Sequence, residues 1–238
     1  MLLLRSLLFN LLMLLSVLVY VPLALLTFPF PHKSRYRFIS GWARMQMWLV
    51  RLLCGIRYRV EGREHLPKGP AIILAKHQSA WETLAFQELF PMQTWVLKRE
   101  LLWVPFFGWG LALMKPIAID RGAGRKAVMQ VIEQGKERLE DGIWIVVFPE
   151  GTRVMPGQRR RYGIGGAALA VETGYPVVPV AHNAGSFWPK RGFLKRPGTI
   201  QVVVGPTIHT RDKTAEEIIQ RTEEWIETTM AEIEAGRD

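Results

Sequence analysis

The chain has 238 residues, 49% of them hydrophobic and 22% charged, with 31 Lys+Arg against 21 Asp+Glu and a formal net charge of +10. That length supports a sizeable core in one domain, or one domain plus an appendage, and the composition excludes disorder and low-complexity or collagen-like chains. A single cysteine, Cys54, excludes an intramolecular disulfide and a cysteine-based zinc site, while the positive charge calls for nucleic acid, a membrane surface or a phosphorylated substrate as partner.

From Ser6 to Pro31 no residue is charged. A helix of that length would reach about 39 Å, against roughly 30 Å of bilayer hydrocarbon. Only Arg5 precedes the run, and it ends in Phe28-Pro29-Phe30-Pro31 with no small-residue cleavage site, so it reads as a retained anchor rather than a cleaved signal. Lys33, Arg35 and Arg37 follow it, which places the bulk of the protein on the cytoplasmic side of the inner membrane or its equivalent. Pro22 would kink the helix, leaving open whether it crosses or dips into one leaflet.

Residues 36–54 read as an amphipathic helix. Arg37, Arg44 and Arg51 form one stripe; Phe38, Ile39, Trp42, Met45, Leu49 and Leu53 lie opposite. Such a helix suits a lipid interface, with cations at phosphates and the apolar side in the acyl boundary, or it packs on the domain in the ordinary way. The expectation is a membrane-associated helical hairpin over residues 1–55, followed by a domain over 56–238.

Apolar runs of strand length lie near residues 57–60, 71–75, 94–97, 117–119, 143–148, 177–180 and 200–204. Helical patterns lie near 81–89, 125–139, 165–173 and 215–234. This alternation predicts an α/β fold with a mixed, largely parallel sheet flanked by helices, and chemistry at the strand ends. The last helix is acidic: residues 212–238 hold nine acids and three bases, so the rest of the chain is more basic than the total suggests.

Three strand ends carry candidate chemistry. Lys76-His77-Gln78-Ser79-Ala80-Trp81-Glu82 follows the strand at 71–75. His77 and Glu82 meet only if the histidine lies in the turn and the glutamate in the first helical turn. Ser79-x-x-Glu82 has the capping-box form that would put it there, and Glu82 as a plain cap stays open. If the pair forms, the carboxylate fixes the imidazole tautomer and supports proton uptake. No G-x-S-x-G elbow accompanies it, and no two histidines have metal-ligand spacing, so His77 would act directly on a substrate hydroxyl. Asp120-Arg121 ends the strand at 117–119, and Phe148-Pro149-Glu150-Gly151-Thr152-Arg153 follows the strand at 143–148. Glycine there admits close backbone approach, and each arginine can grip a phosphate or form a surface ion pair.

These blocks resemble the four motifs of the 1-acylglycerol-3-phosphate acyltransferase family. His77 through Glu82 is similar to its H-x4-D motif, Asp120-Arg121 to the end of its second, Phe148 through Arg153 to F-P-E-G-T-R, and Val178-Pro179-Val180 to its fourth. The resemblance covers about residues 36–210 and includes Lys98-Arg99-Glu100-Leu101 with Pro105-Phe106-Phe107-Gly108. Glu82 departs from the usual aspartate, Val154 from a frequent serine, and the second motif lacks its common glycine and phenylalanine.

The resemblance implies acyl transfer from acyl-CoA or acyl carrier protein to the sn-2 hydroxyl of 1-acyl-glycerol-3-phosphate (lysophosphatidic acid), giving phosphatidic acid. It implies His77 as general base oriented by Glu82, and Lys98, Arg121, Glu150, Gly151, Thr152 and Arg153 as substrate-binding residues. Arg121 and Arg153 would take the phosphate, Glu150 and Gly151 the glycerol region, with no metal or cofactor. Partners would be the phospholipid bilayer and both lipid substrates, and not nucleic acid, for which no module is recognisable. Trp103, Phe106, Phe107 and Trp109 would border an acyl channel, touch lipid or pack in the core. Arg159-Arg160-Arg161 would meet headgroups or an acidic carrier, or stay solvated. Two other readings stand beside this one: a family member acylating another lyso-lipid, such as a lyso-amino-lipid, and a non-catalytic protein binding anionic lipid.

Overall fold

The computed structural model describes residues 1–236; the last two residues of the expected 56–238 domain lie outside the described residues. α1 (Leu2–Leu25) carries Pro22 within it, and α2 (His32–Cys54) begins earlier than the charge pattern indicated. Gly55, in the left-handed conformation at φ +69°, stops α2 and turns the chain into the sheet.

The strands β1 (Ile56–Glu61), β2 (Ile72–Ala75), β3 (Gln93–Lys98), β4 (Ile117–Ile119), β5 (Trp144–Val147), β6 (Val177–His182) and β7 (Gly198–Val204) form one sheet, ordered β1-β7-β6-β2-β5-β3-β4. Every pairing is parallel except β6 with β7. Ile72 of β2 faces Ile145 on one side and Val177 on the other, so β2 is central and fully buried. An all-apolar strand is what a sheet covered on both faces requires.

Alternation along β2 sends Ile73 to one face and Ile72 and Leu74 to the other. The first face packs on α2 and α3 (Trp81–Leu89) through Ala43, Met47, Val50, Trp81 and Phe86. The second packs on α5 (Arg125–Glu140), α6 (Gly165–Thr173) and α7 (Ala215–Ala235) through Val131, Leu139, Leu169 and Ile218. A Cβ on Gly166 would lie 2.6 Å from Leu74 Cδ2, so glycine is what lets α6 rest directly on β2. The strands and helices read from hydrophobic spacing all form. The short α4 (Phe107–Ala112), with two glycines in six residues, was not readable from periodicity.

One expectation needs correction. The apolar side of α2 faces protein: Ile39, Trp42, Leu49 and Leu53 pack against the core, and the Trp42 and Gln46 side chains donate to Ser16 Oγ of α1 at 3.0 and 2.9 Å. Covering the sheet and its neighbour helices buries that face more fully than an interface would. Arg37, Arg44 and Arg51 do stay exposed, beside exposed Trp48 and Leu52. The apolar surface open to the surroundings is instead that of α1, including Leu7, Leu11, Leu14 and Leu18. Among the described residues α1 is the one helix long and apolar enough to cross a membrane.

Candidate active site

The carboxyl ends of β2, β3, β4 and β5 share one edge of the sheet, so their loops meet there. In the β2–α3 loop, His77 Nδ1 lies 2.8 Å from Glu82 Oε1, and Glu82 is fully buried. The same oxygen accepts the N–H groups of Gln78 and Ser79 at 2.9 and 2.7 Å. Ser79 Oγ accepts from Trp81 N at 3.1 Å, one residue short of a true capping box, and Ala80 holds the cap position. Glu82 therefore closes the turn and holds the imidazole at once. Burial opposes its charged form, but the nearby His182 ring, the His77 contact and the Ser79 N–H together hold its carboxyl below the ordinary value. With a carboxylate at Nδ1, the proton sits there and Nε2 keeps its free lone pair.

The β5–α6 loop clamps His77 from the other side. Glu150 Oε2 accepts the His77 N–H at 2.7 Å, and the Val154 N–H donates to the His77 carbonyl at 2.7 Å. The Phe148 ring stacks on the imidazole at 4.0 Å and 13°. Val154, where the resemblance leads one to expect a serine, thus contributes through its backbone, which any residue but proline supplies. Gly151 adopts φ +68°, a conformation that favours glycine, and its carbonyl accepts a hydrogen bond from the Arg121 guanidinium. Lys190, which no sequence signal marked, donates to Arg153 O at 2.6 Å and lies 3.4 Å from Thr152 Oγ1.

A cavity of about 340 Å³ opens beside this cluster, within the usual range of about 300–1,000 Å³ for small-ligand sites. His77, Arg121, Phe148 and Arg153 stand at one part of its lining. The rest is largely apolar: Val17, Tyr20, Val21 and Ala24 of α1, Ile39 and Trp42 of α2, Trp95 to Leu97 of β3, and Gly110 and Leu111 of α4. The Arg153 guanidinium meets no carboxylate among the described residues, whereas Arg121 is tied to the Gly151 carbonyl.

The structure brings His77, Glu82, Arg121, Gly151, Thr152 and Arg153 together in these neighbouring loops, and turns two other residues of the expected set away. Glu150 turns inward, its carboxylate committed to the His77 N–H and to the Lys76 ammonium at 2.8 Å. Lys98 points outward to Glu100 at 3.1 Å and is absent from the cavity lining. Of the four aromatics near α4, Phe107 reaches the cavity, and Trp103, Phe106 and Trp109 lie on the surface. Arg159 pairs with Glu227 at 3.3 Å, while Arg160 and Arg161 are exposed. His182, buried behind Glu82, has Nε2 2.8 Å from the Lys76 carbonyl, and burial lowers its pKa against the pull of Glu82.

The model of the family described as Acyltransferase matches residues 57–183, which span all of these loops. The chain belongs to the acyltransferase family. This acyltransferase is 50% identical over 234 residues to the 1-acyl-sn-glycerol-3-phosphate acyltransferase of Pseudomonas aeruginosa, covering 96% of this chain and 91% of that one. It is 31% identical over 198 residues to the enzyme of the same name from Limnanthes douglasii, covering 81% and 69% of the two chains. Its fold matches the crystal structure of the 1-acyl-sn-glycerophosphate acyltransferase PlsC from Thermotoga maritima, with a TM-score of 0.79 at 23% identity over 99% of this chain and 98% of the other.

Proposed function

We propose that the protein transfers a fatty acyl group from an acyl thioester, carried by coenzyme A or acyl carrier protein, to the sn-2 hydroxyl of 1-acyl-glycerol-3-phosphate, forming phosphatidic acid. The observation that carries this reading is the buried Glu82 holding His77 Nδ1, with Nε2 free at a largely apolar cavity that two arginines also line. His77 Nε2 takes the hydroxyl proton as the oxygen attacks the thioester carbonyl carbon. The C–S bond then breaks, and the imidazolium returns the proton to the leaving thiolate. Glu82 supports that transient cation. The acyl chain lies in the apolar cavity, where each buried methylene contributes about 0.8 kcal/mol.

Arg153 and Arg121 hold the acceptor phosphate, with Gly151 and Thr152 lining the approach; Lys98, outside the cavity lining, reaches the site only on a change of rotamer. Two similar relatives are named for this acceptor, and an Arg153 guanidinium without a carboxylate partner among the described residues favours a phosphate over a lyso-amino-lipid. Arg153→Ala is expected to raise the KM for lysophosphatidic acid by about ten- to a hundredfold, the equivalent of one charge-assisted hydrogen bond, with donor KM unchanged. Steady-state kinetics with each substrate varied will check this. The reading itself is tested by adding an acyl thioester and either lysophosphatidic acid or a phosphate-free lyso-lipid to the purified protein in vesicles. Mass analysis should find phosphatidic acid, and no acylated product from either acceptor would overturn it.

The helices α1 and α2 act as the membrane-anchoring unit, and residues 56–238 as the catalytic domain. Both ends of α1 touch that domain: Ser6 Oγ accepts the Lys195 N–H at 2.9 Å and Phe9 meets Trp188 at 5.3 Å, while Val17 to Ala24 wall the cavity. A helix held along one domain at both ends lies in one leaflet, with its free leucine face and the surface aromatics Trp103 and Trp109 in lipid and the domain on the cytoplasmic side. An acyl chain then passes from bilayer to cavity past α1 without entering water. Leu11→Asp with Leu14→Asp should cut vesicle binding at least about tenfold in a flotation assay, since each acid in hydrocarbon costs about 2.5–3.5 kcal/mol.

A further inference from the structure

Behind the histidine loop lies a buried charge cluster that proton transfer at His77 does not use. Lys76, the residue after β2, has a side chain only 2% exposed, and its ammonium lies 2.8 Å from Glu150 Oε1 and 2.7 Å from Glu227 Oε1. Glu227 belongs to α7, beyond the stretch matched by the family model. Its Oε1 also accepts from the Tyr162 hydroxyl at 2.9 Å, and its Oε2 meets Arg159 Nε at 3.3 Å. Two carboxylates thus share one ammonium in a medium where an unpartnered charge would be strongly destabilising. Glu150 spends its other oxygen on the His77 N–H at 2.7 Å. A continuous line of contacts therefore runs from the last helix through Lys76 and Glu150 to the backbone of the histidine.

We propose that Glu227 is a positioning residue of the active site: it draws the Lys76 ammonium inward, so that the Glu150 carboxylate stays aimed at the His77 N–H and the imagined line of proton transfer from acceptor to Nε2 is kept. Without it, the Lys76 ammonium loses one of its two carboxylate partners and shifts, carrying the Glu150 carboxylate bound to it at 2.8 Å. Since Lys76 and His77 are consecutive, that movement passes directly into the histidine's own peptide. Burial pushes the Glu150 carboxyl above its ordinary value, against the pull of Lys76 and the His77 N–H, and the Glu227 charge adds to the push. One ammonium held between both acids is what keeps Glu150 available as an acceptor.

The inference rests on the acyl-transfer reading and fails separately from it: absent turnover by the unaltered enzyme removes that reading, whereas the variants below test only Glu227. In the full-length enzyme in vesicles, Glu227→Gln should lower kcat by about tenfold or more with both KM values within about twofold, as expected for a small displacement at a reacting group. Glu227→Asp, which keeps the charge, should recover much of that loss. Glu150→Gln should lower kcat further, and adding Glu227→Gln to it should cost nothing more, because the two act through one contact. Wild-type kcat in Glu227→Gln would overturn the proposal, and so would losses that multiply in the double variant, since a merely structural role adds its cost in either background. Should Glu227→Gln fail to fold, Glu227→Asp, which sets the carboxylate back by one methylene from the 2.7 Å contact, takes its place: a partial loss of kcat that disappears in the Glu150→Gln background supports the proposal, and equal losses in both backgrounds overturn it.

Discussion

His77→Ala is expected to lower turnover by about 10²–10⁴-fold, the usual contribution of a positioned general base, while leaving the protein folded. The fold should survive because the clamp on residue 77 runs through its backbone. Its N–H donates to Glu150 and its carbonyl accepts from Val154, and neither contact involves the imidazole. What alanine removes is the ring between Phe148 and the cavity, and the partner of Glu82. Glu82 keeps the two N–H donors of Gln78 and Ser79, so the turn retains most of its support. Release of thiol from an acyl thioester, followed alongside circular dichroism, checks both halves. A folded variant with more than about a tenth of wild-type turnover would remove His77 from the role of base.

The parts of this molecule legible from sequence are those governed by local pattern. Strand ends such as Ile117–Ile119 and Trp144–Val147 are marked by apolar runs stopping at charged or glycine-bearing loops, and the parallel sheet brings those loops together. His77 and Glu82 could be offered as a pair because a turn running into a helix brings residues five apart together, with a plain cap as the equal alternative that only the 2.8 Å contact resolves. The illegible parts depend on elements distant in the chain. Glu227 is one acid among many on an acidic helix, and its inward position follows only from how α7 packs against β6 and α6. Lys76 carried a weak signal, a cation directly continuing an all-apolar strand, but its partners lie 74 and 151 residues away. The inward turn of Glu150 was hidden for the same reason. A motif names the residue type, and only the tertiary neighbours decide which way the side chain faces. Likewise the face of α2 could not be assigned from its own periodicity, because the amphipathic pattern is the same against lipid and against protein.

Glu82→Gln should reduce kcat by about 10²–10³-fold with little change in either KM, and Glu82→Asp should stay within about tenfold of the wild type. Glutamine can keep the geometry: with its amide oxygen in the place of Oε1 it accepts from His77, Gln78 and Ser79 as the carboxylate does. Its amino group must then occupy the site of Oε2, a buried atom without a hydrogen-bond partner among the described residues, at a cost of about 1–3 kcal/mol. The catalytic loss comes from charge, since a neutral amide supports imidazolium poorly. Aspartate retains the charge and gives up reach, so a lengthened contact to Nδ1 is its main defect. Stability should follow a different course from activity. The Glu82 carboxyl is held below its ordinary value of 4.5, so the folded protein binds that proton more weakly than the unfolded chain. Its stabilising contribution is then fully present above about pH 4.5 and fades as the pH falls through the folded-state value. The melting temperatures of wild type and Glu82→Gln should accordingly converge on acidification, while their kcat values stay far apart at neutral pH. Equal turnover in the Asp and Gln variants would reduce Glu82 to a helix cap and leave the imidazole without a charged partner.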